Sequence, residues 1–257
     1  MEIPLFPLHT VLCPGIVLPL HIFEERYRDM TRHCLDTGEP FGVVLIRDGR
    51  EIGTKGVATL AGVGAFAEIR EAGRYSDGRY DLLAAATGRF VIESVDAQKE
   101  PYLVAEVTAL EDEVGDEPRA ERLAAAAIRR FVRYLDLMRA RDGESTEVLD
   151  IRVEIDAQGG DEDDAPTGGP TELSATDDEP PTRRDLVIPD DPTVLSYLLS
   201  GIVQVELPRR QALLEADTTV ERLEGLIDLL ERELTLLGRR LRFFTPDPKL
   251  AGGIRRS

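Results

Sequence analysis

The sequence predicts an α+β protein in which a small β-barrel is followed by a helical bundle. Two observations carry this expectation. Up to Leu110, short apolar runs of strand length alternate with Pro, Gly and Asp-Gly turn signals. From Asp116 the apolar residues recur at helical spacing instead. The barrel part spans 1–111 and contains one helix. The helical part spans 112–257, with a polar insert at about 157–185.

The opening runs Ile3–Leu12 and Ile16–Leu20 flank a Pro14-Gly15 turn. Pro4, Pro7, Pro14 and Pro19 exclude a secretory signal, which needs a basic start and an unbroken apolar stretch. No run reaches the roughly 18 apolar residues of a membrane span. The expected address is therefore the cytoplasm, with no membrane partner. A helix is predicted over about Ile22–Asp36, with Phe23, Tyr27, Met30 and Cys34 as its buried stripe and Gly38 at its end. Strands follow at Phe41–Ile46 and Val63–Glu71. Ser76-Asp77-Gly78 then turns into Tyr80–Ala86, and Gly88 separates that run from Phe90–Val95. In Tyr102–Leu110, Leu103, Ala105, Val107 and Ala109 take alternate positions. Short strands with tight turns favour a small barrel over an open parallel sheet.

Glu117-Pro118 opens a long helix whose face is Leu123, Ala127, Ile128, Phe131, Leu135 and Met138. Leu149, Ile151, Val153 and Ile155 alternate with charged residues as in a half-buried strand, with a helix as the alternative. Residues 157–185 are rich in Gly, Pro, Ser, Thr and acids and hold one large aliphatic residue, Leu173, so this segment is expected to be disordered. Asp191 then caps a helix with Pro192 in its first turn and an apolar face of Val194, Leu195, Leu198, Leu199 and Ile202. Leu207-Pro208 opens a shorter one. In the last helix, Thr218 to Glu221 fits a capping box. Its stripe is Val220, Leu223, Ile227, Leu230, Leu234, Leu237 and Leu241. Such a stripe packs within its own bundle; a homodimer through the 218–241 helix is the alternative.

The net charge of −18 is unevenly placed. Between Arg141 and Asp191 there are 17 acidic and 4 basic residues, leaving about −5 for the rest of the chain. The lysines are Lys55, Lys99 and Lys249, and none follows a phosphate-binding Gly loop, which argues against ATP hydrolysis. Gly168-Gly169-Pro170-Thr171 lies in the acidic insert, a poor setting for an activated nucleophile. His9, Cys13, His21, His33 and Cys34 match no metal-ligand spacing. Glu24-Glu25 suits a helix start. No catalytic residue, cofactor or metal is predicted.

Several stretches together resemble one family. They are Pro4-Leu5-Phe6-Pro7-Leu8, Pro14-Gly15, Leu18-Pro19-Leu20, His21-Ile22-Phe23-Glu24 with Arg26-Tyr27, and Phe41 to Ile46. Gly88-Arg89-Phe90, Pro101 to Val107, and Leu207-Pro208 through Leu234 with Glu221-Arg222-Leu223 complete the set. This pattern resembles the substrate-binding N-terminal domain of Lon proteases, especially its small stand-alone members. Glu25 stands where many of those have proline, and the acidic insert has no counterpart in them.

The resemblance implies a PUA-like barrel followed by a helical bundle. It also implies a non-catalytic module that binds unfolded or extended protein segments, without ATPase or protease parts. An accessory or regulator of an ATP-dependent protease is one alternative. RNA binding through the barrel is another, although the barrel half lacks the basic cluster that such binding draws on. Phe6, Leu18, Tyr27 and Phe90 lie in the family motifs and are the candidate partner-binding residues.

Overall fold

The computed structural model describes residues 1–48, 59–142 and 189–244. The strand-patterned run at 149–155 and the acidic insert at 157–185 lie outside the described residues. The elements, in order, are β1 (Glu2–Leu8), β2 (Val17–Ile22), α1 (Glu25–Thr37), β3 (Phe41–Asp48), β4 (Thr59–Leu60), β5 (Val63–Arg74), β6 (Tyr80–Asp96) and β7 (Leu103–Leu110). Four helices follow: α2 (Glu117–Asp142), α3 (Pro192–Ile202), α4 (Leu207–Glu215) and α5 (Thr219–Phe244).

The strands make a mixed sheet in the order β1-β7-β6-β5-β3-β4. β1 also pairs in parallel with β3, Leu5 opposite Gly42 and Leu8 opposite Leu45. The pairing circuit therefore closes through five strands. β2 stands outside this circuit and, among the described residues, pairs with β6 alone.

Tyr80 to Asp96 is one 17-residue strand, so Gly88 does not separate two. The register shifts between Phe66 and Ala67, which face Gly88 and Ala86, so a bulge absorbs Thr87 and the strand bends without ending. β6 is thus long enough to carry β2 along Tyr80–Ala85 and β7 along Arg89–Asp96.

The helix ends follow their chemistry. Gly38 closes α1 at φ 73°, where its N–H donates to the Cys34 carbonyl at 2.9 Å. The Asp191 side chain accepts from the N–H groups of Thr193 and Val194, and Pro192 occupies the first turn of α3. Thr218 and Glu221 cap α5 reciprocally: Glu221 N–H donates to Thr218 Oγ1 at 3.1 Å, and Thr218 N–H to Glu221 Oε2 at 3.4 Å.

The described residues form three apolar clusters. The first packs Tyr27, Met30 and Cys34 of α1 onto Phe6, Phe41 and Leu82 of the sheet. The second lies among Ile3, Leu5, Phe66, Phe90 and Leu103 and extends to Tyr197 of α3 and Leu214 of α4. The third is the bundle, where Phe131 and Tyr134 of α2 meet Leu195 and Leu199 of α3 and Leu223, Ile227 and Leu230 of α5. The α5 stripe is thus used within the chain.

Some predicted faces are rotated or shortened. β1 ends at Leu8, before the bend that leads to Pro14-Gly15. Ala109 is exposed, and Val104 is buried on the opposite face of β7 from Leu103 and Ala105. On α2 the buried line is Ala120, Ala124, Ala127, Phe131 and Tyr134; Leu123, Ile128, Leu135 and Met138 flank it, half-buried. Alanine lets α2 approach its neighbours closely, so apolar size misjudges which residues face inward. Val194 is exposed, and Ser196 and Ser200 take inward places on α3. Each serine returns its hydroxyl to a carbonyl of its own helix, which makes it a tolerable core residue.

Candidate functional site

Two buried arginines tie the helices together and, through Arg89, to the sheet, and so hold the site's scaffold. Arg89 of β6, 3 % exposed, donates to the carbonyls of Leu214 at 2.9 Å and Ala216 at 2.8 Å, and to Asp112 Oδ1 at 2.9 Å. Arg222 of α5, 1 % exposed, donates to the Leu213 carbonyl at 3.1 Å, Ser196 Oγ at 3.1 Å and the Ala216 carbonyl at 3.3 Å. The Tyr197 hydroxyl donates to the same Asp112 oxygen. Burial pushes the Tyr197 phenol well above its ordinary range, against the pull of Arg222. Burial likewise lowers the Arg222 guanidinium from its usual value. The Gln211 amide adds a bond to the Val63 carbonyl at 3.0 Å.

β2 offers the exposed surface. The Pro14-Gly15 turn has Gly15 at φ 81°, a conformation that favours glycine. Gly15 N–H donates to the Ala86 carbonyl at 2.9 Å, and Ala86 N–H donates to the Ile16 carbonyl at 3.0 Å, which sets the register. Ile16 sits tightly under α3: a Cβ on Gly201 would lie 2.6 Å from its Cγ1. Along β2, Leu18 and Leu20 lean on the first core cluster and Ile22 is buried. Val17, Pro19 and His21 face outward. The side of β2 away from β6 has no strand partner among the described residues. Pro19 has no N–H to offer, and edge strands are where a sheet tolerates proline.

At the end of β2 stands Phe23, 63 % exposed, contrary to its predicted place in the α1 stripe. The reason is local. α1 begins at Glu25 with Glu24 as its cap, so Phe23 lies before the helix. The fourth helical residue is Arg28, which gives Phe23 no apolar staple partner. Its ring instead stacks on His21, centroids 6.2 Å apart at 28°. His21 in turn meets Tyr75 edge-on at 6.1 Å, and Tyr75 is 45 % exposed.

Charged groups hold these rings in place. His21 Nδ1 lies 2.6 Å from Asp81 Oδ1, across the β2–β6 pair in which the two residues are opposite. The Tyr75 hydroxyl donates to Asp81 Oδ2, and the Arg79 guanidinium lies 5.3 Å over the Tyr75 ring. The bonds from Tyr75 and then His21 hold the Asp81 carboxyl below its usual value. The same bond raises the Tyr75 phenol. The other imidazole nitrogen, Nε2, is 3.3 Å from an Arg79 nitrogen, so this His–Asp pair abuts a guanidinium rather than a nucleophile. The arrangement suits binding: an apolar ring surface beside an open strand edge, with charges at its border.

The four predicted contact residues sit differently. Phe6 and Tyr27 pack edge-to-face, centroids 4.4 Å apart, inside the first cluster. Phe90 is fully buried beside Phe66. Leu18 is half-buried on β2, its side chain leaning on the first cluster from the face opposite Val17, Pro19 and His21. The structure therefore separates them: Phe6, Tyr27 and Phe90 are core, and Leu18 is the one left half-buried. No sequence pattern marks Phe23, Tyr75 and Asp81 as one site. Asp81 meets His21 only through the strand register, which no spacing along the chain reveals.

Both cysteines are buried and unpaired, and burial raises each thiol to about 11. Among the described residues no group of three His, Cys, Asp or Glu side chains could hold a metal ion. Among them, too, no helix is long and apolar enough to cross a membrane.

The family model for the ATP-dependent protease La (LON) substrate-binding domain matches residues 2–232. The chain belongs to this family. A Lon protease from Cytophaga hutchinsonii is 23% identical over 236 residues, covering 91% of this chain and 24% of its own. The chain thus spans about a quarter of the length of the curated Lon relatives it matches. Among solved structures, the Lon N-terminal domain protein from Xanthomonas campestris has a TM-score of 0.52 at 23% identity, covering 89% of this chain and 98% of that one. The N-terminal domain of Mycobacterium avium complex Lon protease has a TM-score of 0.56 at 19% identity, covering 90% and 98%. The mixed sheet with C-terminal helices is therefore the Lon N-terminal domain fold.

Proposed function

We propose that this member of the Lon substrate-binding domain family is a non-catalytic module that grips extended protein segments on the outer edge of β2. The single observation that carries the reading is Phe23, a large exposed ring held beside an unpaired strand edge. An extended segment adds main-chain hydrogen bonds along that edge, and an apolar side chain settles on Phe23 and Tyr75. Leu18 and Leu20 anchor β2 from its inner face, packed on the cluster that holds Phe6 and Tyr27. The closed five-strand circuit is read as a PUA-like barrel serving as a rigid platform. The protein's place is beside ATP-dependent proteolysis in the cytoplasm, as a client receptor.

The test is equilibrium binding of a fluorescently labelled, permanently unfolded, cysteine-alkylated protein, without nucleotide. Wild type should bind. Phe23→Ser should weaken binding about tenfold, the size of losing burial worth ~1.5 kcal/mol on one aromatic contact. Val17→Ser should weaken it less. No nucleotide-independent binding, or equal binding by wild type and Phe23→Ser, overturns the assignment.

A further inference from the structure

A cleft of about 490 Å³ lies between the far parts of α2 and α5, away from β2. It is lined by Arg133 of α2 and by Glu231, Leu234, Thr235, Gly238 and Arg239 of α5. Its carboxylate is already engaged: Glu231 pairs with Arg130 at 2.6 Å. Arg133 and Arg239 are exposed and have no ion-pair partner among the described residues. The half-buried Leu234 supplies an apolar floor. In a chain of net charge −18 this is a cationic cleft in search of an anion.

The chain path supplies one. The starts of α2 and α5 lie together, since Gly115 adjoins Val220 and Thr219 N–H donates to the Glu113 carbonyl at 2.8 Å. α3 begins there too, where the hydroxyls of Thr193 and Thr219 meet at 2.8 Å. α2 leaves that end and runs 26 residues, roughly 38 Å, to Asp142 beside the far part of α5. The described chain thus stops at Asp142, at the arginine-bearing end, and resumes at Pro189, just before α3 at the opposite one. The stretch between them holds most of the acidic excess, and its densest run is Asp161-Glu162-Asp163-Asp164. The run lies 19 residues past Asp142, a reach of up to about 60 Å at ~3.3 Å per residue.

We propose that the Arg133–Arg239 cleft is the docking site of the chain's own acidic run 161–164. Tethering raises the local concentration of that run above that of free acidic segments, so the cleft is normally filled in cis. Two guanidiniums spaced across an apolar floor then take carboxylates on either side of it.

The experiment uses the full chain and a fluorescent peptide covering residues 157–170. The peptide should bind a variant carrying D161N, E162Q, D163N and D164N about tenfold more tightly than wild type, because the cleft is vacated. Adding Arg133→Gln and Arg239→Gln to that variant should abolish the binding, with circular dichroism checking that the fold is kept. Higher salt should weaken it. Equal affinity for wild type and the neutralised variant would show a cleft open to acidic segments of other proteins and overturn docking in cis. Binding that survives the arginine changes, or no binding to any form, overturns the site itself.

Discussion

The Arg222 guanidinium lies 3.7 Å from the centroid of the Tyr197 ring, with both side chains buried. The tyrosine hydroxyl and Arg89 share Asp112, so one ring and one carboxylate organise two buried arginines. This cluster joins α3, α4 and α5 to β6.

Arg222→Ala should destabilise the protein by about 3 kcal/mol or more, the scale of breaking a buried charged network. The Leu213 carbonyl and Ser196 would lose their donor. Arg222→Lys should fall between the two, because an ammonium cannot lie flat on Tyr197. Urea unfolding measures the difference; an unchanged midpoint for the alanine variant would contradict the role given to this cluster.

Gly64→Ala should cost about 1–3 kcal/mol by overpacking. The added Cβ would stand 2.5 Å from Phe90 Cζ and 2.6 Å from the Val43 carbonyl oxygen. Phe90→Leu in the same chain should restore only part of the loss, since the backbone clash stays. Thermal melts of the single and double variants separate the two contacts.

The Asp81 carboxyl should titrate below its ordinary value of 3.8. Because the folded value is depressed, its stabilising contribution is complete above the ordinary carboxylate range. It is lost as pH falls through the depressed value. Asp81→Asn should bring the raised Tyr75 phenol back toward 10. Carboxyl and tyrosine NMR titrations read both, and a Tyr75 midpoint insensitive to Asp81→Asn would break the link between them.

Much of this fold was legible because local chemistry decides it. Gly38, Asp191 and the Thr218–Glu221 box each act within a few residues, and each ends or begins a helix where the sequence places it. The α5 stripe was readable for the same reason. What local patterning misses depends on register and distance. Gly88 reads as a break, yet a bulge opposite Phe66 and Ala67 carries the strand through it. The α2 face is set by small alanines rather than by its larger apolar residues. A motif does not show which way its side chains face: Phe6, Tyr27 and Phe90 are core and Leu18 is half-buried. Phe23 falls outside α1 because the helix begins at Glu25 rather than at Ile22. His21 and Asp81 are 60 residues apart and meet only once β2 lies on β6.

The closed strand circuit leaves β2 and the two-residue β4 as the margins of the sheet with a side free of strands among the described residues. A backbone margin able to accept a foreign polypeptide is equally able to accept a sibling molecule, so the same feature carries a hazard of polymerisation. Pro19 punctures the row of amide donors midway along β2, which breaks up a long sibling-to-sibling zipper while leaving room for a brief visitor on either side.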